Sequence, residues 1–216
     1  MRIAFFCPNK PLSHAHPSGD LTIARDLQHA LEDLGHQCRE IVPFRTRWFW
    51  KSGKGWLRAF STLPGAFNKT LNFQPDLWLT YHSYYKSPDI FGPVICRLLN
   101  VPYVLFQPMY STRRRKASQS RIGFYLNRLA LKTASGAFTN NLNDIEALRR
   151  TLPPEKIFYL PSGIVPEEFC KDVTAGSRVR KQYGIPQGAP VVMTAARFRP
   201  GVKCESLIYL FRCLAL

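Results

Sequence analysis

Chemistry-bearing residues in this sequence cluster in a few short stretches. The first loop, Pro8 to Gly19, holds Asn9, Lys10, His14, His16, Ser18 and Gly19 just before a predicted helix start. Backbone amides and the positive helix end attract a phosphate or carboxylate at such a place. Ser18 and Gly19 are therefore candidate contacts for a phosphate or an acceptor. His82 stands in Tyr81-His82-Ser83-Tyr84-Tyr85-Lys86, directly after a predicted strand. An imidazole there can hold a hydroxyl or handle a proton, or simply pack half-buried between tyrosines. His14 and His16 have no accompanying Cys or carboxylate cluster, so they read as solvated loop histidines and no metal site is expected. Absence of G-x-G-x-x-G and of G-x-x-x-x-G-K-[ST] argues against a dinucleotide oxidoreductase or a P-loop enzyme.

Cations dominate the rest of the chemistry. The 216 residues carry 30 Lys+Arg against 14 Asp+Glu, a formal charge of +16. No acid lies between Glu40 and Asp76, where Arg45, Arg47, Lys51, Lys54, Arg58 and Lys69 occur, and none between Asp89 and Asp144, where eight cations occur. Those eight include the run Arg113-Arg114-Arg115-Lys116, a candidate basic loop for lipid headgroups or an anionic acceptor, or a merely solvated run. The span 45–69 also holds three of the four tryptophans. Trp48, Trp50, Lys51, Lys54, Trp56 and Arg58 are candidate contacts to an anionic membrane surface, the alternative being aromatics that fold back onto the core. Nucleic acid is the weaker partner, since no recognised binding pattern accompanies the charge.

These residues need a scaffold, and hydropathy patterning predicts one. Ile3–Cys7 is a short apolar run typical of a strand buried on both faces. Asp20 stands where an N-cap would be, and Leu21, Ala24, Leu27, Leu31 and Leu34 follow at helical spacing up to Gly35. Further strands are expected at 38–42, 76–81, 101–106, 136–139 and 156–160, with helices at 88–99, 122–133 and 143–151. Alternation of this kind predicts an α/β fold, a doubly wound Rossmann-like parallel sheet whose ligands bind at the carboxyl ends of the strands. Six cysteines without short-spaced pairs read as reduced, buried thiols, and no signal peptide or membrane-length apolar run is visible. The expected organisation is a domain over 1–161, a linker over 162–189, and over 190–216 one strand-helix unit of an incomplete second domain.

Two late segments add a resemblance. Phe158-Tyr159-Leu160-Pro161-Ser162-Gly163-Ile164-Val165-Pro166-Glu167-Glu168-Phe169 resembles the stretch that closes the N-terminal domain of family 4 glycosyltransferases of the GT-B fold, with Ser162 and Val165 departing from the common form. Val191-Val192-Met193-Thr194-Ala195-Ala196-Arg197-Phe198-Arg199-Pro200-Gly201-Val202-Lys203 looks like the first strand and loop of that family's nucleotide-binding domain. Gly35-His36 and Pro75-Asp76 agree with it upstream.

The resemblance implies a retaining transferase with a nucleotide-diphosphate sugar as donor substrate, no cofactor and no metal, in which Arg197 and Lys203 bind the donor diphosphate. The paired glutamates of that family fall beyond residue 216, and Phe106-Gln107-Pro108-Met109 stands where a histidine often follows the fourth strand, leaving His82 as the substitute catalytic candidate. The reading at this stage is the N-terminal fragment of a cytoplasmic glycosyltransferase, peripheral on the inner membrane face, acting on a lipid-linked or cell-envelope glycan. Alone it is expected to transfer little sugar. The rival is a non-catalytic module of the same shape that binds anionic membrane or a partner protein.

Overall fold

In the computed structural model, residues 1–16, 18–163, 170–195 and 201–214 are described, without the side chain of Lys203. Two compact units divide at Gly163 and Ile164. The first is built on strands β1 (Arg2–Phe6), β2 (Gln37–Glu40), β3 (Leu77–Tyr81), β4 (Tyr103–Phe106), β5 (Gly136–Thr139) and β6 (Ile157–Tyr159). All pair in parallel, in the order β2-β1-β3-β4-β5-β6. The helices are α1 (Gly19–Asp33), α2 (Gly53–Phe73), α3 (Gly92–Leu99), a short α4 (Arg113–Lys116), α5 (Ser118–Thr133) and α6 (Leu142–Leu148). This is the expected α/β class: short, mostly apolar strands joined by crossovers that keep every pair parallel.

Residue alternation along the strands assigns the two faces. Ala4, Phe6, Trp78 and Leu105 meet Ala66 and Phe73 of α2, Ile95 and Cys96 of α3, and Phe124 and Leu131 of α5. Ile3, Phe5, Leu79 and Tyr81 point the other way and pack with Ala24 and the flanking Leu27 and Leu31 of α1. Successive side chains on a strand face opposite sides, so a strand between two helix layers reads as continuously apolar.

Several boundaries differ from the expectation. Ser18, not Asp20, caps α1: it is extended (φ −163°, ψ 156°) and its side chain accepts from the Leu21 amide, placing Asp20 in the first turn. The helix expected from Pro88 begins only at Gly92, because Asp89 turns its carboxylate onto the amides of Phe91 and Gly92 (2.8 Å each). The basic aromatic stretch becomes α2, a 21-residue helix capped by Ser52 and closed by Gln74 in the left-handed region (φ 48°).

In the second unit, α7 (Ala175–Tyr183) lies within the span expected as linker and ends at Gly184 (φ 64°). Residues 190–195, expected as a strand, pair with no other segment among the described residues; an apolar run becomes a strand only where a neighbour completes its ladder. Helix α8 (Val202–Leu214) follows.

Candidate functional site

The strand order reverses between β1 and β3: the chain goes from β1 outward to β2, then crosses back to β3 on the other side of β1. The carboxyl ends of strands flanking such a reversal are the place where open α/β sheets bind ligands. After β1 comes Asn9, nearly buried, whose Nδ2–H donates to Asp20 Oδ2 (3.0 Å). Its Oδ1 accepts from the Ser87 hydroxyl (3.3 Å) and from the Tyr84 hydroxyl (3.5 Å). Arg45 Nε–H donates to its carbonyl (2.8 Å). Asn9 therefore ties the first loop, the start of α1 and the loop after β3 together.

His82 leaves β3 with φ 58°, and Gln107 leaves β4 with φ 52°. Left-handed backbone costs a side-chain-bearing residue about 1–2 kcal/mol. Both are held there by ladder bonds: the His82 amide donates to the Phe106 carbonyl (2.8 Å) and the Gln107 amide to the Phe138 carbonyl (2.7 Å). The Tyr81 hydroxyl donates to Gln107 Oε1 (3.1 Å), locking the two strand ends. The His82 ring sits 4.8 Å from that of Tyr84 and 5.8 Å from that of Tyr81. It is thus both packed between tyrosines and placed at the strand end.

Burial lowers the His82 pKa from its ordinary value of 6.5, while Asp20, a hydrogen bond with the Gln107 backbone and Asp144 oppose the shift. Asp144 lies in the first turn of α6, after the N-cap Asn141. Burial raises its pKa, with Asn141 and His82 acting against it. The result is an imidazole whose neutral form burial favours and on which two carboxylates act electrostatically. It can accept from one hydroxyl and donate to another, and its charged form is stabilised from two sides if it takes a proton.

Of the residues singled out in the sequence, His82, Ser18 and Gly19 share this carboxyl edge. A Cβ on Gly19 would meet nothing within 4 Å, so open space rather than crowding surrounds it. Arg197 lies outside the described residues, and so does the side chain of Lys203, whose backbone belongs to α8. Among the described residues no three His, Cys, Asp or Glu side chains converge as metal ligands. His14 and His16 bond to each other's loop, the His16 amide donating to His14 Nδ1 (3.1 Å).

The tryptophan assignment needs correction. Trp50 is only 6% exposed, against Gly123 of α5, where an added Cβ would run into its ring. Trp48 and Trp56 are half-buried in the same aromatic chain, Trp48–Trp50 at 5.4 Å and Phe49–Trp56 at 4.9 Å. Trp50 cannot reach lipid, because aromatic area gains more from the neighbouring helix than from solvent. Lys51, Lys54 and Arg58 remain exposed, Lys51 lying 4.1 Å over the Trp48 ring. The basic run is α4, fully exposed, with Arg114 stacked 4.4 Å over Tyr85. Trp48, Tyr85, Lys86 and Arg114 thereby line one cleft of about 410 Å³, joining two stretches that the sequence kept apart.

Asn9, Asp20, Gln107 and Asp144 were not singled out as site residues. Asn9 and Gln107 lie in loops after strands, and Asp20 and Asp144 in the first turns of helices, positions that many ordinary residues share.

No protein-family model and no curated protein matches this sequence. Among solved structures, the chain is similar to Anabaena Alr3699/HepE in complex with UDP and glucose (18% identity, TM-score 0.49, 85% of this chain and 50% of that one). It is similar also to HepE in complex with UDP (16% identity, TM-score 0.49, the same coverage). The chain spans about half the length of these structures.

Proposed function

We propose that this chain is the acceptor-side half of a nucleotide-sugar-dependent glycosyltransferase acting on a lipid-linked or cell-envelope glycan, with His82 as its acid-base or hydroxyl-orienting residue. The observation that carries the reading is the strand-order reversal between β1 and β3, at whose carboxyl ends His82 stands in left-handed backbone, flanked electrostatically by Asp20 and Asp144. A sugar hydroxyl is the chemistry such a group serves, since it offers a proton acceptor and nearby hydrogen-bonding oxygens rather than a fixed anion hole. Arg197 and Lys203 are the proposed diphosphate contacts: a leaving diphosphate gains charge as the glycosidic bond breaks, and cations stabilise it.

Ligand-observed NMR with glucose and with UDP-glucose, read together with the His82 ring resonances, tests this. Saccharide addition is expected to shift those resonances, and His82→Asn to weaken saccharide binding about tenfold. UDP affinity should fall about tenfold in Arg197→Ala or Lys203→Ala, one charge-assisted contact being worth roughly that factor. A His82 ring indifferent to every saccharide, with binding unchanged in the variant, would sink the acceptor-site reading.

A further inference from the structure

Helices α2, α3 and α5 together bear Lys54, Arg58, Lys69, Arg97, Arg121, Arg128 and Lys132, and no carboxylate. They also carry exposed apolar side chains. Phe60 is 64% exposed, Leu98 67% and Leu129 52%. Between them runs an apolar groove. Trp56, Phe60, Leu63, Val94 and Leu129 line a cleft of about 180 Å³, and Leu63 and Val94 continue into a second, of about 310 Å³, walled by Phe67 and Leu98. The one carboxylate at the groove, Asp89, is buried and receives four donors: the Thr80 and Tyr103 hydroxyls and the amides of Phe91 and Gly92.

From this we infer that the α2–α3–α5 face docks on an anionic lipid bilayer, the groove taking acyl-chain or glycerol-backbone methylenes while the exposed cations of the same helices meet lipid phosphates. Charge decides the occupant. A neutral apolar partner would leave the exposed cations of these three helices without counter-charge, whereas an anionic bilayer supplies both the phosphate plane and the hydrocarbon beneath it. Helix α2, about 30 Å long by its residue count, lies along the surface rather than across it. No helix among the described residues is long and apolar enough to cross a membrane. The docking residues are Phe60, Val94, Leu98 and Leu129 with Lys54 and Arg58, not the inward-turned Trp50. The inference stands independently of whether the carboxyl ends of β1 and β3 bind sugar.

The test is partitioning of the full chain onto vesicles of phosphatidylcholine alone and of phosphatidylcholine with phosphatidylglycerol. Binding is expected only to the anionic vesicles, with Trp fluorescence quenched by brominated acyl chains, and that quenching reduced in Trp56→Phe. Phe60→Ser with Leu98→Ser should weaken partitioning about tenfold. Both side chains are more than half exposed, so the core is retained, which an unchanged unfolding midpoint verifies. Lys54→Gln with Arg58→Gln should cost about fivefold per charge. Three results would overturn the inference: vesicle binding untouched by the apolar pair and abolished by salt, tighter binding to a homopolymeric RNA than to vesicles, or a dimer that the apolar pair dissociates without any vesicle binding.

Discussion

Two groups of acidic side chains in the first unit do opposite things. Asp89 is fully enclosed, with Thr80, Tyr103 and two backbone amides donating to it; Trp78 Nε1–H donates in turn to the Thr80 hydroxyl (2.9 Å). Asp20 and Asp144 lie in the first turns of two helices and act electrostatically on His82, each with a single side-chain partner among the described residues, Asn9 and Asn141. A network whose donors and acceptors are all matched organises the core; a partly unmatched one at a strand end is available to a ligand. The same residue type thus marks structure in one place and a candidate site in the other.

That contrast is open to direct attack. The largest effect is expected from Asp89→Ala, which strands four donors in an apolar interior and should destabilise by about 3–5 kcal/mol in urea unfolding. A loss below about 1 kcal/mol would show that Asp89 is not a structural centre. Next is Gly92→Ala: the added Cβ would press on Asp89 Oδ2, Tyr103 and the Trp78 indole nitrogen, costing about 1–3 kcal/mol by the same measurement.

At the edge the pattern should invert. His82→Asn keeps a residue tolerant of left-handed backbone, so stability should stay within about 0.5 kcal/mol while saccharide-induced NMR shifts weaken. Asp20→Asn and Asp144→Asn each remove a charge that favours the imidazolium, so the His82 pKa, followed by ring proton chemical shifts, should fall further in both. A rise in either variant would contradict the assigned electrostatics.

The smallest effect is on pH-dependent stability. Because the folded His82 pKa lies below its ordinary 6.5, the unfolded chain binds the extra proton between those two values. Stability should therefore rise with pH across that window and level off above it. Subtracting the His82→Asn curve from the native one should isolate this rise.

Much of the first unit was legible because its strands are short apolar runs bounded by turn residues. Ile3–Cys7 and Asp76–Tyr81 became β1 and β3 within a residue or two. Pro88 misled, since a proline is compatible with a helix start, but the capping carboxylate of Asp89 sets that start by reaching forward to Phe91 and Gly92. Residues 190–195 misled for a different reason, a strand being defined by its neighbour. For the site, position after a strand singled out His82, but nothing local distinguishes Gln107 or Asp144 from ordinary loop and helix-start residues.

What the residue order determined alone was the alternation of elements, the parallel sheet it implies, and the concentration of cations in two acid-free stretches. Periodicity, turn chemistry and composition are local, so they survive without knowledge of contacts. Only the tertiary structure decided that Trp50 turns inward onto Gly123, that Asp89 is sealed under Thr80 and Tyr103, and that His82 stands between charges from α1 and α6. Each of these depends on packing between segments distant in the chain. There, burial and hydrogen-bond matching outweigh the preferences of any single residue.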